Sequence, residues 1–134
     1  MKVKVGGRPR SFRTVAYDAR RNEVRLIEQR LLPHQFKIVA TRTYEETAAA
    51  IRDMVVRGAG AIGATAAYGL AQGLMAFQGS DPKRFARHVG KVYTTLKEAR
   101  PTAVDPVNAM DEIRHGLPAG ADVKAQQARA VELA

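Results

Sequence analysis

Arg57 stands at the head of GAGAIG, residues 58–63, where one apolar helical pattern gives way to the next. A guanidinium beside glycines at a helix start has the makings of an anion site. The first amides of a helix lack a carbonyl partner within it, and glycine lets a ligand approach the backbone. Arginine adds a planar pair of donors. The spacing is not that of the G-x-x-x-x-G-K-[ST] phosphate loop, so two other readings stay open. One is a helix packed tightly among others, its glycines admitting neighbouring backbones at about 1 kcal/mol each in lost helix propensity. The other is a membrane span, because residues 58–80 carry no charge. Their alanine- and glycine-rich make-up, with Thr65, Gln72, Gln78 and Ser80, argues against lipid burial. Tight packing accounts for Gly69 and Gly73, but it leaves Arg57 unexplained.

A second group lies in ARPTAVDPVNAM, residues 99–110. Arg100 ends a helical pattern, Pro101 breaks it and Thr102 offers a hydroxyl. Arg100 could join Arg57 on one anion, or either arginine could serve a structural ion pair. His34, His88 and His115 show no metal-ligand spacing, so no metal and no cofactor are expected. His88 falls at the edge of an apolar stripe and reads as a boundary residue rather than a base. Tyr68, inside the glycine-rich helix, reads as core with its hydroxyl satisfied nearby.

The elements that must hold these groups follow from periodicity. Residues 1–11 look like an irregular basic lead-in with a Gly-Gly break and a proline. SFRTVAYD and NEVRLIEQ alternate apolar with polar residues around the turn chemistry of DARRN, which predicts an antiparallel hairpin. Phe12, Val15 and Tyr17 are the apolar positions of its first strand, and Val24, Leu26 and Ile27 those of its second. FKIVAT reads as a third short strand. Thr43 and Glu46 form a capping box, after which Tyr44, Ala48, Ile51, Met54 and Val55 share a helical face. Gly58 suits the end of that helix or the turn after it. A second helix is expected from about Gly60 to Phe77. Asp81-Pro82 starts a third, with Phe85, Val89, Val92 and Leu96 inward, and Asp105-Pro106 repeats the device for a fourth. ADVKAQQARAVELA begins a fifth. The expected class is α+β: a small antiparallel β-sheet of about three strands over residues 12–42, then a bundle of about five helices over 43–134. The last helical pattern stops without a breaker, which suggests a longer protein.

The 134 residues suffice for one domain with a core. With no cysteine there can be no disulfide or thiolate metal site, and the cytoplasm is the default compartment. The net charge of +9 is uneven, with 11 Lys/Arg against 3 Asp/Glu in residues 1–42. That excess could attract an anionic substrate or an acidic partner. No aromatic nucleic-acid signature accompanies it, so nucleic acid is not an expected partner.

LLPHQF, then AIRDMVVRGAGAIGATAAYG, then RPTAVDPVNAM resemble, in that order, the N-terminal region of methylthioribose-1-phosphate isomerases. The wider family includes ribose-1,5-bisphosphate isomerases and the alpha, beta and delta subunits of translation initiation factor 2B. The resemblance covers about residues 12 to 115. It implies a small sheet with a helical bundle, followed by a C-terminal Rossmann-like domain that mediates homodimerisation, with the active site between the two. It also implies that Arg57, Gly58 and Ala59, with Arg100 beside them, bind a phosphorylated pentose. The family's catalytic cysteine and aspartate belong to the C-terminal domain, and Asp53, Asp105 and Asp111 do not occupy their places, so no catalytic residue is assigned. The isomerase pattern usually has proline where this chain has Gly60, and a different run where it has DPVNA. Both departures point toward the bisphosphate-isomerase and factor-2B branches.

Overall fold

A computed structural model describes residues 2–5, 8–11, 15–28, 37–56, 58–101, 103–118 and 121–134. Five strands precede five helices: β1 (Lys2–Val5), β2 (Arg8–Ser11), β3 (Val15–Asp18), β4 (Glu23–Ile27), β5 (Ile38–Thr41), α1 (Tyr44–Arg52), α2 (Ala59–Met75), α3 (Pro82–Ala99), α4 (Asp105–Gly116) and α5 (Val123–Leu133). This is the expected α+β class. Phe12 and His34 lie outside the described residues.

The hairpin and third strand form an antiparallel sheet in the order β3-β4-β5, with Val15 opposite Leu26 and Leu26 opposite Val39. Alternation places Val24 and Leu26 in the core, and Ile27 is buried as well. In the β3–β4 turn, the Asp18 carboxylate accepts from the amides of Arg20 and Arg21 at 3.0 and 3.3 Å, and Asn22 takes a left-handed φ of 53°.

Residues 2–11 depart from the expected irregular lead-in. β1 and β2 pair antiparallel with Val5 opposite Arg8. That register leaves a two-residue Gly-Gly connection of sequence, a pair favoured in tight hairpins. Pro9 discouraged a strand reading, yet proline is tolerated in a strand of a two-stranded ribbon, where one edge needs no donor.

Helix starts follow their local chemistry. The Thr43 hydroxyl accepts from the Glu46 amide at 3.1 Å, Asp81 from Lys83 at 3.0 Å, and Asp122 from Ala125 at 2.7 Å. α4 differs from the expected repeat of the Asp-Pro device. Val104 is its N-cap with no side-chain bond, and Asp105 is already helical, a first-turn acid favoured by the helix dipole. Met54 also departs from expectation. α1 ends at Arg52, Met54 adopts φ 63°, and its side chain lies 42% exposed instead of joining Tyr44, Ala48, Ile51 and Val55 in the core.

α2 runs through the centre, against every other helix and against β3 and β4. No helix among the described residues is long and apolar enough to cross a membrane. The close packing inferred for Gly69 and Gly73 is present. A Cβ on Gly69 would lie 2.9 Å from Thr47 Cγ2, and one on Gly73 2.6 and 2.8 Å from the two γ carbons of Val92. Val92 is β-branched and lies in α3, where one χ1 rotamer is strongly preferred, so swinging away is costly. Alanine at 73 would gain about 1 kcal/mol in helix propensity but incur an overpacking cost of about 1–3 kcal/mol. Gly73→Ala is therefore expected to lower the urea midpoint. Gly90→Ala in α3, where a Cβ meets open space, should raise it.

A buried polar cluster joins sheet to helices. Gln72 Nε2 donates to the carbonyls of Asn22 and Thr41, both at 2.9 Å, and Thr47 Oγ1 donates to Gln72 Oε1 at 2.6 Å. Asn22 Nδ2 donates to the Gln72 carbonyl at 3.0 Å, and the Tyr17 hydroxyl donates to Asn22 Oδ1 at 2.6 Å. Burial, then the nearby Asp18 charge, pushes the Tyr17 pKa up to about 12. Tyr68 is half-buried, its ring stacked on Tyr17 with centroids 5.7 Å apart. His88 is a boundary residue as expected, with Nε2 2.7 Å from the Gly73 carbonyl and its ring near Tyr44 and Phe77.

Candidate functional site

The start of α2 is built from Gly58. Its φ of +92° with ψ 137° lies where side-chain-bearing residues are rarely found, so glycine is required to turn the chain into the helix. The Gly58 carbonyl accepts from the Ile62 amide at 2.9 Å, the first bond of the helical ladder. By helix geometry the amides of Gly58, Ala59, Gly60 and Ala61 have no acceptor within α2. Among the described residues no side chain caps this end and no acid lies in its first turn, whereas Thr43, Asp81 and Asp122 cap α1, α3 and α5. Built Cβ atoms at Gly58 and Gly60 meet nothing within 4 Å, so a ligand can reach the backbone. A helix of 17 residues thus presents the positive end of its dipole with no acid in its own first turn.

Arg100 is the C-cap of α3. Its amide donates to the Lys97 carbonyl at 3.3 Å, and its carbonyl accepts from Ala103 at 3.0 Å, closing a tight turn. The residue is half-buried and has no carboxylate partner among the described residues, which disfavours the structural ion-pair reading. The turn leads directly into Asp105, whose backbone lies against Gly63: a Cβ built on Gly63 would be 3.4 Å from the Asp105 carbonyl oxygen. The structure therefore places the start of α4 beside the early turns of α2. Arg57 lies outside the described residues, as does Thr102, and only the backbone of Ala59 is described.

Another concavity competes for attention. A hollow of about 380 Å³ opens between α1 and α3, lined by Glu45, Ala48, Arg52, Thr95, Glu98 and Ala99. With two carboxylates and one arginine that already lies 3.3 Å from Asp53, it is a poor receptor for phosphate. Among the described residues no group of three or more His, Asp or Glu side chains is placed to hold a metal ion.

Sequence reasoning missed the Gln72 cluster and the Gly63–Asp105 contact. A lone amide in a charge-free helix, spaced three residues after Gly69, was the available signal for the first. Nothing local announced the second, which depends on how α4 docks.

A model of the initiation factor 2 subunit family matches residues 55–134. The chain is 42% identical over 135 aligned residues to a methylthioribose-1-phosphate isomerase of Sinorhizobium medicae, covering 98% of this chain and 35% of the relative. It is 46% identical over 99 residues to the methylthioribose-1-phosphate isomerase of Aquifex aeolicus, covering 74% of this chain and 20% of that one. The chain spans about a third of the Sinorhizobium relative's length. Among solved structures it is similar to the 5-methylthioribose 1-phosphate isomerase of Pyrococcus horikoshii, with TM-score 0.82, 35% identity and coverage of 91% of this chain and 35% of that one. It is also similar to the delta subunit of translation initiation factor eIF-2B from A. fulgidus, with TM-score 0.83, 29% identity and coverage of 92% and 35%.

Proposed function

Because this chain belongs to the initiation factor 2 subunit family, we propose that it forms the phosphate-gripping N-terminal part of an aldose–ketose isomerase. The reaction converts 5-methylthioribose 1-phosphate to 5-methylthioribulose 1-phosphate. The observation that carries the proposal is 42% identity to such an isomerase along 98% of this chain. The uncapped N-terminus of α2 and the Arg100 turn supply matching chemistry.

The substrate's phosphate sits on the anomeric carbon. Isomerisation breaks the bond between C1 and the ring oxygen, moves the C2 hydrogen to C1 and turns the C2 hydroxyl into a carbonyl. The hydroxyl proton is balanced by protonation of the former ring oxygen to a C4 hydroxyl. No atom is lost and no external oxidant is needed. This chain's part is to hold the phosphate dianion throughout. The free amides at Gly58–Gly60 meet it end-on, and the planar forks of Arg57 and Arg100 close on its oxygens. Fixing the phosphate fixes C1 in front of groups supplied elsewhere in the protein, and such positioning can account for a large part of the acceleration. Removing water from around the dianion also makes each donor count for more.

In this reading residues 1–134 bind but do not turn over substrate. The full-length protein should isomerise 5-methylthioribose 1-phosphate and the 134-residue chain should show no measurable rate; turnover by the chain alone would refute the division of labour. The likeness to the eIF-2B delta subunit, at a TM-score of 0.83, supports a second reading in which the module contacts a protein partner and senses a sugar phosphate. A full-length protein that binds the sugar phosphate without isomerising it favours that reading.

A further inference from the structure

Gly63 is buried in the early part of α2, just inside the proposed phosphate grip. A Cβ there would lie 3.4 Å from the Asp105 carbonyl oxygen, 3.5 Å from Asp105 Cβ and 3.6 Å from the Asp105 carbonyl carbon. One methyl group fits at these distances in ordinary van der Waals contact, and a branched side chain adds two more carbons beside Asp105. The neighbour is mostly backbone, so no rotamer change there makes room for them. Asp105 opens α4, where the Val104 carbonyl accepts from the Asn108 amide at 3.0 Å and Pro106 is buried. Back toward Arg100 the path is short and closed by the bond from the Ala103 amide to the Arg100 carbonyl at 3.0 Å. Asp105 thus stands five residues after Arg100, just beyond that turn.

We propose that Gly63 is a positioning residue that sets the distance between the free amides of α2 and the guanidinium of Arg100. The proposal rests on the phosphate site of the preceding subsection. It separates Gly63 from Gly69 and Gly73, whose close contacts are with side chains of the core rather than with the start of α4.

The test compares Gly63→Val with Gly63→Ala in the full-length protein. Gly63→Val should raise KM for 5-methylthioribose 1-phosphate about tenfold and leave kcat within about threefold, because the phosphate is gripped in ground and transition states alike. Gly63→Ala should keep the wild-type KM. A residue that only packs would lower the melting temperature and the active fraction without moving KM, so a folded Gly63→Val with unchanged KM overturns the proposal. If Gly63→Val does not fold, Gly63→Ser takes its place, with about a threefold rise in KM expected and an unchanged KM again decisive. Inorganic phosphate, titrated against the Gly58–Gly60 amide resonances of the same full-length proteins, separates this idea from the isomerase reading. Wild type that binds phosphate but lacks turnover, with Gly63→Val binding about tenfold more weakly, supports the positioning role while rejecting the reaction. Wild type with neither turnover nor phosphate binding overturns both.

Discussion

Replacing Arg57 and Arg100 together by alanine in the full-length protein is expected to raise KM for 5-methylthioribose 1-phosphate by about a hundredfold or more, with the fold retained. A hydrogen bond to a charged group contributes about 1.5–3 kcal/mol, and about 1.4 kcal/mol corresponds to a tenfold change. Two such groups on one dianion reach a hundredfold before any contribution from long-range charge. The loss should appear in KM, since both guanidiniums hold the phosphate before and during the reaction. Arg100→Lys should recover only part of the affinity, because lysine keeps the charge but not the planar fork. Arg100 has no carboxylate partner among the described residues, so its removal strands no buried acid, and the urea midpoint should stay near that of wild type. Unchanged KM in the double variant would reject the phosphate site.

The largest effect on stability is expected at Gln72. Gln72→Leu keeps roughly the volume but removes three bonds, leaving the Asn22 and Thr41 carbonyls and the Thr47 hydroxyl without this partner. The Thr47 hydroxyl has a fallback acceptor in the Thr43 carbonyl at 3.2 Å, so the two carbonyls dominate the loss. A buried group left unsatisfied costs about 1–3 kcal/mol, which gives about 3 kcal/mol in all. Against a total stability of about 5–15 kcal/mol, that is a large drop in the urea midpoint. Thr47 has only one hydroxyl hydrogen, and it goes to Gln72. Thr41 must then donate across the 2.6 Å contact to Thr47, so Thr41→Val should weaken the same cluster less than Gln72→Leu does. A Gln72→Leu loss below about 1 kcal/mol would mean that water or a shifted neighbour restores the bonds.

Features that depend on neighbours in sequence were legible before any coordinates. Thr43 with Glu46 and Asp81 with Pro82 satisfy free amides within three residues, so the starts of α1 and α3 are written locally. The apolar stripe of α3 is equally plain, because Phe85, Val89, Val92 and Leu96 recur at helical spacing. What escaped depends on tertiary partners or on backbone states that composition does not encode. Met54 continues the apolar period of α1, and only its left-handed φ turns it outward. Gln72 gains its meaning from Asn22 and Thr41, each at least 31 positions away in sequence. The β1–β2 ribbon was hidden by Pro9 and the Gly-Gly break, which read as irregular chain until the pairing register is known. At the candidate site the glycines and arginines stood out in the sequence, while the seating of Asp105 on Gly63 did not.

The most direct test is a crystal structure of the full-length protein with 5-methylthioribose 1-phosphate bound. Phosphate oxygens are expected within hydrogen-bond distance of the Gly58, Ala59 and Gly60 amides, with the guanidiniums of Arg57 and Arg100 on the same phosphate. A phosphate seated instead in the hollow between α1 and α3, or an Arg100 turned away toward a carboxylate, would contradict that arrangement.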